Sequence, residues 1–379
     1  MLTILVLISL LIWLYLTFLN GGYWLASERL LPAAEPQDWP AVIAVIPARD
    51  EAETIGPVIA SHMASDYPGP LEVVLVDDQS SDGTGAIGQS EANGARPFSL
   101  VEGRDRAPGW TGKLWSLQTG LASIAGKPSK YLLLTDADIV HAPGTLRALV
   151  AKAEAENLSL VSLMARLDAR GLWGGLLMPA FVFFFQQLYP FPRSNTPGDS
   201  MAASAGGCVL VNRETFERAG GVEAIKGEII DDCALARTIK ATAPERRTWI
   251  GLAKTEAVSL RDNRPLSSVW TMVERSAFVQ LKKSYVMLTG SAAGLVLMYL
   301  VPFLALAFGG TSAALLGLTC WLLMAATYLP TLKLYDQAPC KAFALPLAGL
   351  LYLAMTLSSG WQAFRGRTAQ WKGRVYNDL

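Results

Sequence analysis

"LLLTDADIV", residues 132–140, decides the fold. An apolar run from Tyr131 to Leu134 ends in two carboxylates one residue apart, Asp136 and Asp138. A short apolar run of this kind suits a strand buried on both faces of a parallel sheet. Two earlier stretches share the pattern. "AVIAVIPARDE" runs into Asp50 and Glu51, and "LEVVLVDD" ends in Asp77 and Asp78. Helical patterns follow each strand: "RDEAETIGPVIASHMAS" with an acidic first turn, "SSDGTGAIGQSEAN", and "PGTLRALVAKAEAEN". Strand–helix alternation predicts an α/β sheet with right-handed crossovers. Ligands on such sheets sit outside the carboxyl ends of the strands, where these acids lie.

A single carboxylate at a strand end is usually a helix N-cap, which suits Asp82 in "SSDGT". Three acidic strand ends facing one crevice would repel unless a cation sits among them. Oxygen donors favour a hard divalent ion, Mg²⁺ or Mn²⁺, which also bridges phosphates. In extended geometry Asp136 and Asp138 point to one face, so both reach one metal and its diphosphate.

Of the 379 residues, 51% are hydrophobic and 17% charged, against roughly 25% charged in a soluble domain. This balance predicts a globular domain joined to membrane segments. The net charge of +0 gives no electrostatic case for nucleic acid. Cys208, Cys233, Cys320 and Cys340 form no C-x-x-C pair, and His62 and His141 are the two histidines. That argues against structural zinc and for buried free thiols in a reducing compartment.

Leu2–Leu19 is uncharged and about long enough to span a bilayer. It lacks a basic leading segment and a clear cleavage site, so residues 1–22 are expected to be a retained anchor. Val286–Phe308, Ala313–Leu332 and Ala342–Ser358 give C-terminal transmembrane helices within 285–360. They carry no ionisable residue, which argues against a transporter. Leu172–Phe191 is aromatic-rich and broken by Pro179 and Pro190. It is expected to be an interfacial segment, 172–192, because the acids before and after it must share one side of the membrane. A basic tail, 361–379, carries Arg365, Arg367, Lys372 and Arg374. Three full spans would place it outside, against the positive-inside tendency, so one stretch is expected to be re-entrant.

"VIPARDEAETI", "VVLVDDQSSDGT", "LLLTDADI" and "GEIIDDCALA", in this order, resemble the family 2 glycosyltransferases, inverting enzymes of the GT-A fold. The resemblance covers about 42–284. It implies an α/β GT-A nucleotide-sugar domain, 40–284, with a mostly parallel sheet. "PGWTGKLWSLQTG" and "RTAQWKGRVY" narrow the likeness to the hopene-associated glycosyltransferases, which are similar to ceramide and carotenoid glycosyltransferases. The implied partners are a UDP-sugar donor and a membrane lipid acceptor, with a hopanoid first and a ceramide-like lipid as the alternative. The implied place is the inner membrane, with the catalytic domain facing the cytoplasm.

By resemblance, Glu51 and Asp77 hold uracil and ribose, with Asp78 beside them. Asp136 and Asp138 match the D-x-D that contacts ribose, metal and diphosphate. Asp232 matches the catalytic base, with Asp231 standing where Glu is usual, and Gly206–Gly207 match a loop near the sugar. Where many processive members carry Q-x-x-R-W, this chain has Gln280, Lys283 and Ser284. The missing aromatic favours one sugar transferred once, while a Lys still neutralises a phosphate without a bidentate fork.

Lys113, flanked by glycine and two tryptophans, is a candidate second cation for the leaving diphosphate. Arg104 and Arg106 are equally readable as solvated surface. No P-loop supports a nucleotidyl- or phosphotransferase, and no G-x-S-x-G elbow supports a covalent nucleophile. A non-catalytic nucleotide-sugar-binding membrane protein would be expected to have a damaged acid set. Here the set is complete.

Overall fold

The computed structural model describes residues 1–245, 247–366, 370–371 and 374–375, the last four by backbone alone. Arg367 and Lys372 of the basic tail lie outside the described residues. The chain divides into a sheet unit, 28–167, 193–261 and 370–379, and a helical unit, 1–27, 168–192 and 262–369.

The sheet unit contains β1 (Val42–Ala48), β2 (Leu71–Asp77), β3 (Phe98–Glu102), β4 (Tyr131–Thr135), β5 (Ile139–His141), β6 (Leu158–Met164), β7 (Cys208–Asn212), β8 (Arg247–Leu252) and β9 (Ala257–Ser259). Seven of them form one sheet in the order β3-β2-β1-β4-β7-β6-β8. β1 to β4 run parallel, β7 lies antiparallel between β4 and β6, and β6 pairs parallel with β8. β5 and β9 make a separate antiparallel ribbon. The mostly parallel sheet expected from the apolar runs is present.

Both faces of the sheet are buried, as a parallel sheet requires. Val42, Ala44 and Ile46 of β1 enter one core with Val58, Ile59 and Leu149. Ile43 and Val45 enter the other, with Leu114, Leu117 and Ile239. The helix Gly112–Ser123 packs close to that second face. A Cβ on its Gly120 would lie 2.6 Å from Val76 and 2.7 Å from Val45, so only glycine lets the helix approach.

One expectation is corrected after β1. The next helix runs Ile55–Met63 and has no acid in its first turn. Asp50 instead turns the chain with φ 49°, and its Oδ1 accepts from the Ser81 N–H at 2.8 Å. That hydrogen bond couples it to the β2 loop rather than to its own helix.

Cys208, Cys233 and Cys320 are buried free thiols as expected, but Cys340 is exposed, because it lies in the short 3₁₀ turn Pro339–Ala344.

In the helical unit, Gly171–Leu188, Tyr285–Phe308, Thr311–Leu334 and Pro339–Phe364 are each long and apolar enough to cross a membrane. Leu2–Phe18 is shorter, at 17 residues, or roughly 26 Å at 1.5 Å per residue. Tyr285–Phe308 contains a π turn at Val296–Leu300, where the Trp13 indole donates to the Met298 carbonyl at 3.2 Å. Rings interlock within the unit, with Phe184 edge-on to Tyr299 and Tyr352.

Candidate active site

A small cleft opens at the carboxyl ends of β1 and β4. Pro47, Thr135 and Asp136 line it. Lys113, Gly206, Asp231 and Asp232 line it as well, with apolar residues that include Leu117 and Ile225. The antiparallel β7 explains how distant segments meet here. Cys208, its first residue, pairs with Thr135, the last of β4. The 204–207 loop is therefore delivered beside Asp136, and the Thr135 hydroxyl donates to the Gly207 carbonyl at 2.8 Å.

Asp231 and Asp232 open the helix Asp231–Thr242, where acids complement the positive end of the helix dipole. The Gly206 N–H donates to Asp232 Oδ2 at 3.1 Å, and the Cys233 N–H to Oδ1 at 2.7 Å. The Ser204 hydroxyl fixes the backbone by donating to the Asp232 carbonyl at 2.7 Å. Burial pushes the Asp232 carboxyl up to about 6. Asp231 adds to the rise, and Lys113 opposes it. A carboxyl at that value is half ionised at about pH 6 and mostly ionised at neutrality, where it can accept a proton.

Lys113 lies in the first turn of the helix Gly112–Ser123, whose N-cap is Thr111. Its ammonium is 2.7 Å from Asp136 Oδ1 and 3.4 Å from Asp231 Oδ2. Burial alone would lower its pKa, but Asp136 and Asp231, with Asp232 behind, outweigh burial and hold it raised. Lys113 is thus a fixed cation. A Cβ at Gly206 would sit 3.0 Å from its Nζ, so the glycine leaves room for the ammonium.

The expectation that Asp136 and Asp138 extend to one face is not met. The chain turns after β4, with the Ile139 N–H donating to the Asp136 carbonyl at 3.2 Å. Asp136 points to Lys113. Asp138 is buried on the β5–β9 ribbon, where the Ser259 hydroxyl donates to its Oδ2 at 3.2 Å and Arg261 Nε stands 3.4 Å away. Burial raises its carboxyl, with Asp136 adding and Arg261 opposing. Among the described residues, no three His, Cys, Asp or Glu side chains are grouped to hold a metal. The chain offers two carboxylate donors. That fits a Mg²⁺ or Mn²⁺ ion that takes its remaining oxygen ligands from a diphosphate and water.

Around β1 and β2 the acids tie loops together. Asp77 accepts from the Ser80 N–H through Oδ1 at 3.0 Å and from the Gly85 N–H through Oδ2 at 3.1 Å. Asp78 is fully buried, and Arg49 donates to its carbonyl at 2.5 Å. The Glu51 N–H donates to the Thr84 hydroxyl at 2.8 Å. The N-cap expected of Asp82 is not formed, because the helix Thr84–Glu91 has Gly83 as its N-cap. Asp82 instead shapes the turn before it, its Oδ1 accepting from the Thr84 N–H at 3.0 Å and its Oδ2 from the Ala52 N–H at 3.0 Å.

The structure therefore brings Lys113, Asp136, Asp231, Asp232 and Gly206 into one cleft and gathers Glu51, Asp77 and Asp78 at the two neighbouring strand ends. Gln280 and Lys283 belong to the helical unit, where Gln280 donates to the Tyr189 hydroxyl at 2.7 Å. Arg104 is exposed, and Arg106 donates to the Trp110 carbonyl at 2.7 Å within its own loop. Sequence reasoning missed Ser259 and Arg261. Their signal, a short β run ending in "SLR", carries no acid or motif, and its partner Asp138 lies 121 residues from Ser259.

His62 and His141 pack against each other with ring centroids 4.8 Å apart and planes tilted by 51°, both buried. Burial lowers His62 to about 4 and His141 well below its usual value, with His62 adding to the effect on His141. Below pH 6.5 the unfolded chain takes up protons that these rings refuse when folded. Stability is therefore lost as pH falls from about 6.5, at about 1.4 kcal/mol per unit for each ring. Asp232, whose carboxyl is raised, acts in the opposite sense, so a comparison isolates the histidines. His62→Gln should lose less thermal stability than wild type between pH 7.5 and 5. Equal losses would contradict this account.

Residues 43–220 match the model of Glycosyl transferase family 2. The match ends before Asp231 and Asp232, whose placement rests on the geometry above. Over 125 residues the chain is 31% identical to an N-acetylglucosaminyltransferase of Mesorhizobium japonicum (strain LMG 29417 / CECT 9101 / MAFF 303099), covering 32% of this chain. The chain spans only 27% of the length of that curated relative. In fold it is similar to a mannosyltransferase from Pyrobaculum calidifontis solved with GDP-Man and Mn²⁺. That likeness has TM-score 0.59 and 19% identity, over 97% of this chain and 100% of that one. A looser likeness, TM-score 0.41 at 20% identity over 62% of this chain and 74% of that one, is to glucosyl-3-phosphoglycerate synthase from M. tuberculosis with Mn²⁺, UDP and phosphoglyceric acid. The sheet order, the acidic strand ends and the matched segment agree: the chain has the GT-A fold, its residues 43–220 resemble glycosyl transferase family 2, and among the described residues four helices are long and apolar enough to span a membrane.

Proposed function

We propose that the protein is an inverting glycosyltransferase that moves one sugar from a nucleotide sugar, first a UDP-sugar, to the hydroxyl of a membrane lipid. The observation that carries this is Asp232, a carboxyl pushed up to about 6 in a cleft it shares with the Lys113–Asp136 pair. Asp232 accepts the proton of the acceptor hydroxyl as its oxygen bonds to the anomeric carbon. The bond from that carbon to the diphosphate breaks on the opposite face, and its electrons leave with UDP. Lys113 stabilises the negative charge growing on the diphosphate. Asp231 anchors Lys113 from the other side. Asp136 and Asp138 would hold Mg²⁺ or Mn²⁺, which when bound supplies Lewis-acid stabilisation of the leaving group. The loops carrying Glu51, Asp77 and Asp78 take the uracil and ribose.

For the acceptor, the resemblance favours a hopanoid, with a ceramide-like lipid second. Ser284, at the place of the processive aromatic, supports a single transfer. The assay uses the full-length protein in membranes with a panel of nucleotide sugars and lipid extracts. Release of UDP with appearance of a glycolipid is expected. Release of pyrophosphate, or glycosylation of water-soluble acceptors alone, would overturn the proposal.

The catalytic unit faces the cytoplasm, where nucleotide sugars are made, and the protein resides in the inner membrane. The helix Gly171–Leu188 lies in the interface without crossing. Its two flanks lead to β6 and β7, which are hydrogen-bonded neighbours in one sheet. Cysteines placed at exposed Ala155 and Ser200, with Cys340 replaced by serine, should label from the same side of sealed vesicles. Labelling from opposite sides would show that the helix crosses.

A further inference from the structure

The two D-x-D carboxylates do not share a cation in this structure. Each has its own basic partner. Asp136 holds Lys113 at 2.7 Å, and Asp138 holds Arg261 at 3.4 Å, with Ser259 on the same Asp138 oxygen at 3.2 Å. The two basic groups differ in their freedom. Lys113 is gripped by a second acid, Asp231, at 3.4 Å. Arg261 projects from the chain just after β9, and its side chain is 41% exposed. The ribbon fixes the backbone on both sides of the pair. The Leu260 N–H donates to the Asp138 carbonyl at 2.8 Å, and β5 pairs with β9 from Ile139 to Ser259. Asp138 and the Arg261 backbone are therefore held in register, while the guanidinium can move.

We infer that Arg261 is a positioning residue that occupies Asp138 in the absence of donor, holds divalent-cation affinity low, and transfers to the donor diphosphate when cation and nucleotide bind together. This rests on the proposed nucleotide-sugar reading of the site. A divalent ion on Asp138 must share that carboxylate with a guanidinium or displace it, and either weakens the ion's binding. A displaced guanidinium needs another anion, and a diphosphate supplies oxygens in the planar fork geometry that arginine matches. Metal and nucleotide thus favour each other. By linkage, the factor by which UDP strengthens Mn²⁺ binding equals the factor by which Mn²⁺ strengthens UDP binding.

The test is titration of the full-length protein in detergent with Mn²⁺, followed by electron paramagnetic resonance, with and without saturating UDP. Wild type should bind Mn²⁺ weakly alone and much more tightly with UDP. Arg261→Gln should bind Mn²⁺ about ten-fold more tightly than wild type without UDP, and the UDP-dependent gain should shrink by a similar factor. Arg261→Lys, which keeps the charge, should stay closer to wild type than Arg261→Gln does, and it serves as the control for local folding. Unchanged or weaker Mn²⁺ binding by Arg261→Gln without UDP, while UDP still promotes binding in wild type, would overturn this inference and leave the site reading intact. No Mn²⁺ binding by wild type even with UDP would overturn both.

Discussion

Asp232→Asn should lower turnover by roughly 10²–10⁴, the range for a lost general base, and leave donor affinity within a few fold. The amide keeps the shape of the carboxyl, and its oxygen can still accept from the Gly206 N–H that now holds Oδ2 at 3.1 Å. It cannot take a proton. The pH profile makes the assignment specific. Burial, with Asp231 adjacent, sets the Asp232 carboxyl at about 6, and the base is the ionised form. In wild type kcat/KM should fall as pH drops through about 6, because protonation removes the base. The residual activity of Asp232→Asn should lack that acid limb. An Asn variant with wild-type turnover, or with the same limb, would remove Asp232 from the mechanism.

Lys113→Met should be nearly as damaging, for a different reason. The Lys113 ammonium separates Asp136 from Asp231 and lowers the carboxyl of Asp232. Without it, three carboxylates face one another across a partly buried cleft. Two effects follow. The leaving diphosphate loses a preorganised cation, which should cost roughly 10²–10³ in kcat, the range for deleting one charge-stabilising group. Asp232 loses its one opposing positive neighbour of note, so the acid limb of kcat/KM should move to higher pH. Lys113→Arg keeps the charge and should hold the limb near its wild-type position while losing part of kcat through size. Steady-state rates across pH 5–9 for the three proteins would decide it. A limb that stays at about 6 in Lys113→Met would show that Lys113 does not govern Asp232.

The strands at Val42–Ala48, Leu71–Asp77 and Tyr131–Thr135 were legible because each is an apolar run buried on both faces, a property written locally in the chain. The place of Cys208–Asn212 was not, since its position between β4 and β6 follows from pairing over long sequence distance. Yet that antiparallel insertion brings Gly206 to Asp136. The acids at the strand ends were visible as chemistry but not as geometry. Asp50 looked like a helix start, but its left-handed backbone turns it toward Ser81. Asp136 and Asp138 looked like a pair in extended chain, and the turn between β4 and β5 sends them to different partners. Lys113 was picked out by its glycine and tryptophan neighbours. Arg261 was invisible, because an isolated arginine after a short strand differs in nothing local from a surface residue.

The proposed reaction is direct displacement at the anomeric carbon, with Asp232 as the base and no covalent enzyme intermediate. The anomeric configuration of the glycolipid, determined by proton NMR on product formed from a donor of known configuration, distinguishes it from a double displacement. Inversion is expected: an α-linked UDP-sugar should give a β-glycoside. Retention of configuration would contradict it, because retention requires a second displacement or attack from the leaving-group face. Asp232 would then have a role other than the base assigned here.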